Sequence, residues 1–227
     1  VYFSVATDPE FGRMAHMGYD ELLATANQRG NRPDDPKKRD PLDFVLWQRG
    51  DPGDPTWESP WGPGRPGWHI ECSAMATKYL GDQLDLHGGG ADLIFPHHPC
   101  EIAQTEPVTG KKPFVRTWMH AGLVSLDGEK MSKSLGNLVF ARDALAEHHP
   151  DALRWYLLSA HYRAELDYRP AEVGLYEAMA LELRQAVEAP GGGATALDLS
   201  AGAEAFTAAM ADDLDTSTAL AALRAMA

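Results

Sequence analysis

Apolar residues recur at helical spacing from Tyr19 to Gln28 (YDELLATANQ) and again over residues 70–80 (IECSAMATKYL), so both segments are predicted helices. Ahead of the first, Val1-Tyr2-Phe3-Ser4-Val5 reads as a short strand with no basic leader, which argues against a signal peptide. Between the two helices the periodicity breaks. Residues 29–41 are too rich in proline and charge to pack, and residues 42–47 (LDFVLW) fit a strand or a single helical turn. Residues 50–67 carry five prolines and two tryptophans, the composition of a structured loop. Leu84-Asp85-Leu86-His87 then predicts a strand ending in a tight turn at Gly88-Gly89-Gly90.

Further along, a helix is expected to begin near His98-Pro99, with Pro99 at its first position. Residues 114–126 alternate well enough for one long or two short strands, and Asp127-Gly128 is a turn pair. Short helices are predicted at 141–148 and 151–160, the second amphipathic through Leu153, Tyr156, Leu157 and Ala160. A longer helix covers 172–188, a glycine-rich linker 190–193, and an alanine-rich helical hairpin 201–227. Strands alternating with helices define an α/β class, a parallel sheet followed by helices.

Composition narrows the class. A chain of 227 residues has room for one large domain or a domain with a helical appendage. Its 44% apolar content, with 6 Trp, 7 Tyr and 7 Phe, excludes disorder as the main state. No apolar run reaches about 18 residues, so no membrane span is expected. Two cysteines, Cys72 and Cys100, cannot make a disulfide framework, and a reducing cytoplasm is the expected location. The first residue is not Met, which points to a fragment. The net charge of −13 argues against an extended nucleic-acid face, and its distribution says more. All seven lysines lie at or before Lys133, whereas from Ala171 onward nine acids oppose Arg184 and Arg224. A polyanion would therefore have to bind the first two thirds.

Two constellations carry chemistry. Cys72, His97 and Glu101 offer a thiolate, an imidazole and a carboxylate, a donor set suited to Zn²⁺. His97 and Glu101 stand four apart at a helix start and can share a face, while Cys72 has to be brought in by the fold. Spacing alone leaves open a buried structural cysteine with a helix-capping histidine, and Cys100, three residues after His97, is a competing donor. The second constellation is Gly128-Glu129-Lys130-Met131-Ser132-Lys133-Ser134-Leu135-Gly136-Asn137, a glycine-flanked loop with two lysines and two hydroxyls. Such a loop can close over a triphosphate, its ammonium groups stabilising charge on departing pyrophosphate. The bland alternative is an exposed turn that happens to hold lysines.

Lys130-Met131-Ser132-Lys133-Ser134 matches the "KMSKS" signature of class I aminoacyl-tRNA synthetases. Residues 64–75 (GRPGWHIECSAM) resemble the segment of the cysteinyl-tRNA synthetase family that supplies a zinc-binding thiolate. His87-Gly88-Gly89-Gly90, residues 92–98 (DLIFPHH), residues 101–104 (EIAQ), residues 151–163 (DALRWYLLSAHYR) and residues 212–216 (DDLDT) continue the resemblance in order. It implies the second half of a class I synthetase Rossmann-type nucleotide-binding domain, followed by a helical bundle. The implied division is 1–140 for the catalytic portion, 141–190 for a helical stem-contact region, and 191–227 for a linker and the start of a C-terminal helical domain.

The resemblance also implies roles. Cys72, His97 and Glu101 are three of the family's four zinc ligands. Lys130 and Lys133 are catalytic, and residues Lys130, Met131, Ser132, Lys133 and Ser134 bind ATP, with Mg²⁺. Trp68, His69 and His87 line the amino-acid pocket. The implied function is ATP-dependent activation of cysteine and its transfer to tRNA(Cys) by a monomer, with zinc selecting the thiol. There are departures. No cysteine precedes Cys72 to act as fourth ligand, and the "HIGH" motif is absent, His16-Met17-Gly18-Tyr19 being a coincidental likeness. This chain alone is therefore expected to be inactive in adenylation. Residues 62–69 (GPGRPGWH) also resemble the mycothiol-pathway ligase that joins cysteine to an aminosugar, and the acidic last quarter suits that acceptor better. An inactive zinc-binding module is the third reading.

Overall fold

The computed structural model describes residues 1–132, 135–190 and 198–227. These form two compact units, Val1–His120 and Ala121–Ala227.

In the first unit β1 (Tyr2–Phe3) pairs antiparallel with a later strand, and the chain turns at once, because the Val5 N–H donates to buried Asp43 Oδ1 at 2.9 Å. The strand expected over the first five residues is thus cut to two. Helix α1 (Tyr19–Gln28) forms as its periodicity predicts and buries Leu22 and Ala26. β2 (Phe44–Val45) is the partner of β1. β3 (Trp47–Gln48) pairs antiparallel with β4 (Arg65–Pro66), and Trp57 bridges Gly64, so the proline-rich loop is a ribbon. α2 (Trp68–Leu80) and β5 (Leu84–Gly90) follow.

The expected turn at Gly88-Gly89-Gly90 does not form: all three glycines belong to β5. A Cβ on Gly89 would stand 2.8 Å from Leu93 Cδ1 and 3.1 Å from His98 Cε1, so the missing side chain lets the following helix close on the strand. That helix, α3 (His97–Thr109), starts earlier than expected and places Pro99 third rather than first. The first four N–H groups of a helix have no intrahelical acceptor, so Pro99 costs no hydrogen bond there. β6 (Val115–Ala121) pairs with β5. Leu84 N–H donates to the Phe114 carbonyl at 2.8 Å, and Gly88 lies against the Met119 carbonyl, so the two strands advance in parallel. One core gathers Leu22, Leu42, Phe44, Phe95 and Cys100, and a second gathers Ala76, Leu84, Phe114 and Val115.

The second unit opens with β7 (Val124–Leu126) and β8 (Glu129–Lys130), an antiparallel hairpin. Asp127 and Gly128 both take positive φ, 56° and 77°, the requirement of a two-residue turn whose twist suits a hairpin. α4 (Ala141–Glu147) and α5 (Pro150–Leu158) precede β9 (Leu166–Tyr168), which runs parallel to β7. α6 (Pro170–Glu188) covers a core of Ala152, Tyr156, Tyr168 and Val173. α7 (Ser200–Ala211) and α8 (Thr216–Met226) make the expected hairpin, and the expected linker at 190–193 lies largely outside the described residues. No helix among the described residues is long and apolar enough to cross a membrane.

Candidate functional site

α2 and α3 pack together, and Gln104 Nε2 donates to Ser73 Oγ at 2.6 Å where both side chains are buried. That contact fixes Cys72, one residue before Ser73, opposite the first turns of α3. The Cys72 thiol, one His97 nitrogen and one Glu101 oxygen lie within 4.8 Å of one another. Zinc bonds of about 2.0–2.3 Å can join atoms so placed with small side-chain adjustments.

Glu101 supplies the test of fit. Its side chain is fully buried, and neither carboxylate oxygen has a hydrogen-bond partner among the described residues. Three imidazole nitrogens surround Oε2 without closing a hydrogen bond: His87 Nε2 at 3.2 Å, His97 Nε2 at 3.9 Å and His98 Nε2 at 4.0 Å. An uncompensated buried carboxylate costs several kcal/mol, and a cation removes that cost. The donors suit one. Burial pushes the His97 pKa down against the pull of Glu101, which favours the neutral imidazole that coordinates metals. Burial first, then Glu101, pushes the Cys72 thiol up, so a thiolate at this position calls for a positive partner.

A second ring surrounds these donors. His69 Nδ1 meets His97 Nδ1 at 2.8 Å, and burial, then His97, takes the His69 pKa down to about 4. His98 Nδ1 meets His120 Nε2 at 2.7 Å, and burial, then His87 and His120, takes the His98 pKa down to about 3. Trp68 lies 4.6 Å from the His97 ring and Trp118 lies 5.0 Å from the His87 ring, centroid to centroid. The structure therefore brings Trp68, His69, Cys72, His87, His97 and Glu101 together. Cys100 is in the apolar core instead and belongs to neither donor group among the described residues.

Two participants, His98 and His120, are not singled out by the sequence. Adjacent residues on a helix point about 100° apart. His97-His98 therefore suggests one inward side chain, yet the sunken start of α3 buries both. No local signal marks His120.

The glycine-flanked loop lies in the second unit. Lys130 ends β8, and Met131 packs against the Tyr156 core. Ser132 N–H donates to Asn137 Oδ1 at 2.8 Å, and Asn137 Nδ2 donates to the Lys130 carbonyl at 3.2 Å, so Asn137 braces the loop from its far end. An asparagine directly after a loop glycine is the available sequence signal. Lys133 and Ser134 lie outside the described residues.

A sequence model described as "tRNA synthetases class I (C) catalytic domain" matches residues 1–178, so the chain belongs to the family of class I tRNA synthetase catalytic domains. Within that class it is similar to curated proteins named cysteine–tRNA ligase. It is 49% identical to the protein of that name from Symbiobacterium thermophilum over 98% of this chain and 50% of the relative. With the Legionella pneumophila ligase it shares 48% identity over 98% of this chain and 48% of the relative. With that of Alkalilimnicola ehrlichii the figures are 50%, 98% and 47%. The chain spans about half the length of the curated relatives it matches. A LeuRS from Agrobacterium radiobacter, solved in a ternary complex with tRNA and LeuAMS, shares the fold at a TM-score of 0.53 and 16% identity, over 75% of this chain and 28% of that one.

Proposed function

We propose that this chain carries the amino-acid-selecting and loop-bearing part of an enzyme that activates cysteine with ATP and transfers it to tRNA(Cys). The observation that carries the reading is the donor set Cys72, His97 and Glu101, in which the buried Glu101 carboxylate has no hydrogen-bond partner among the described residues. Zinc, when bound, supplies a soft Lewis-acid contact for a substrate thiolate, which serine and alanine cannot match. Around it the chain's own residues position and exclude. His69 holds the His97 ring from its far nitrogen, and Trp68 and Trp118 limit water access to the imidazoles. Discrimination built on one buried polar contact rejects analogues lacking it by about 10⁴ without editing.

The loop after β8 is proposed to hold ATP with Mg²⁺, Lys130 and Lys133 facing the triphosphate and Met131 anchoring the fold-over. Residues 1–140 take the catalytic role, 141–190 the stem-contact role, and 191–227 begin a helical domain. An aminosugar acceptor is the second reading, favoured by nine acids against two arginines after residue 170. The decisive experiment loads the chain with cobalt and adds amino acids. Cysteine should intensify the thiolate-to-cobalt absorption, and serine and S-methylcysteine should leave it unchanged. A chain that takes up no cobalt, or responds equally to all three, overturns the reading. In the full-length protein, cysteine esterified to tRNA rather than amide-linked to an aminosugar separates the two acceptors.

A further inference from the structure

Lys130, Ser125 and Asp167 stand in one row across the sheet of β8, β7 and β9, with Lys130 and Asp167 each in register with Ser125. β8 is a two-residue edge strand, and a hairpin this short is marginal on its own. A side chain from β9 supplies the missing constraint. Asp167 Oδ1 accepts the Ser125 hydroxyl at 3.0 Å and the Gly128 N–H at 2.9 Å, one bond on the strand and one in the turn. Asp167 is a carboxylate at neutral pH. The Gly128 bond foremost, then Ser125 and Arg169, hold its pKa below the ordinary value against desolvation. The carboxylate is itself held: Oδ2 accepts from Arg169 Nε at 3.3 Å, and Arg169 Nη1 donates to Glu172 Oε1 at 3.2 Å. Behind it, the hydroxyl of buried Tyr156 donates to the Asp167 carbonyl at 2.8 Å and accepts the Arg169 N–H at 2.9 Å. A fixed path thus runs from the Tyr156 core through this carboxylate to the hairpin that ends in Lys130.

Next to a loop proposed to meet a triphosphate, an acid is unfavourable unless it does something else. A carboxylate two strands from Lys130, roughly 10 Å, is too far to pair with the ammonium. Both of its oxygens are engaged elsewhere, Oδ1 by the hairpin and Oδ2 by Arg169. Geometry is what remains for it to control. We infer that Asp167 is a positioning residue for cysteine activation: by holding Ser125 and Gly128 it sets where β8 delivers Lys130. The inference rests on the role proposed above for Lys130, and adds the residue that aims it.

The test is a double-mutant cycle on single-turnover adenylate formation in the full-length enzyme, at saturating ATP and cysteine. Asp167→Ala should lower the rate constant about tenfold, since misplacing a reacting group by about 1 Å costs up to about 10²-fold. In a Lys130→Ala background the same substitution should cost less than about twofold, because the group it aims is gone. Asp167→Asn keeps an acceptor for both donors and should recover most of the loss. An unchanged rate constant in Asp167→Ala, an equal loss in the two backgrounds, or no rescue by Asn would overturn the inference. If circular dichroism shows Asp167→Ala unfolded, Ser125→Ala deletes one of the two bonds and carries the same cycle, with an expected loss of about threefold. Exchange of the Gly128 amide, followed by NMR, reports the contact without any chemistry: it should quicken in Asp167→Ala and stay slow in Asp167→Asn. Exchange unchanged in Asp167→Ala would also overturn the inference. A folded full-length protein that forms no cysteinyl adenylate would instead overturn the function proposed above, and the amide exchange would still decide whether Asp167 holds the hairpin.

Discussion

His69 and His97 face each other through like atoms, Nδ1 to Nδ1 at 2.8 Å, so one ring donates a proton that the other accepts. The His97 Nε2 points toward Glu101, at 3.9 Å, which leaves Nδ1 as the protonated nitrogen if Nε2 is to coordinate an ion. His69 is then the acceptor, with its own proton on Nε2. Outer partners of this kind are worth about 10–100-fold in metal affinity. His69→Ala should weaken zinc binding by that factor in a chelator competition, and His69→Asn, which keeps an acceptor, should recover part of it. Equal affinity in all three proteins would show that the contact does not orient His97.

Cys72→Ser should remove most of the bound zinc, because a hydroxyl is a poor ligand, and should abolish the thiolate-to-cobalt band. Cys100→Ser should leave both nearly intact while lowering stability by about 1–3 kcal/mol, the cost of a hydroxyl buried in an apolar core without a partner. Elemental analysis alongside urea denaturation separates these effects. Zinc loss in the Cys100 variant comparable with that of the Cys72 variant would make Cys100 a ligand.

What could be read beforehand follows the range of the forces involved. α1 and the α7–α8 hairpin were legible because their periodicity is local. The turn at Asp127-Gly128 was legible because positive φ restricts residue choice. Gly88-Gly89-Gly90 misled, since the demand for glycine comes from His98 and Leu93 closing on the strand, a tertiary contact. β4 and β9 are two and three residues long and exist through partners far away in sequence, so no periodicity could announce them. The donor trio was legible as chemistry, but its ring of His98, His120 and Trp118 is assembled by packing alone.

Asn137 ties Lys130 to Ser132 and so shapes the loop from a residue outside the signature. Asn137→Ala should slow adenylate formation in the full-length enzyme and be partly rescued by Asp, which keeps the acceptor for Ser132 N–H. Lys133→Ala should lower the adenylation rate constant by about 10²–10³, the effect of losing one strong electrostatic donor. Lys130→Ala should be milder. Single-turnover measurements at saturating ATP and cysteine resolve these effects. A Lys133 variant with an unchanged rate constant and weaker ATP binding would give that lysine a ground-state role.

Acid should destabilise the metal-free chain earlier than carboxylate titration would. His69 and His98 titrate near 6.5 when unfolded but at about 4 and about 3 when folded. Below pH 6.5 the unfolded chain binds protons that the folded chain excludes, so their stabilising effect is complete above 6.5 and is lost as pH falls toward the folded values. The slope approaches about 1.4 kcal/mol per pH unit for each group. Urea midpoints at pH 7 and pH 5 measure it, and His69→Asn should reduce the difference. Identical midpoints at the two pH values would show that both imidazoles can take up protons in the folded chain.

Every member of the donor set, from Cys72 to Glu101, belongs to the unit Val1–His120, and none to Ala121–Ala227. Metal starvation should therefore injure the molecule unevenly. An ion held at 100 times its dissociation constant contributes about 2.7 kcal/mol to whatever folds around it. Chelation would withdraw that from one unit and leave the signature loop's unit untouched. Hydrogen exchange after chelator treatment should accelerate through α2 and α3 while α5 and α6 keep their protection, so that zinc scarcity would be recorded as partial unfolding confined to the unit Val1–His120.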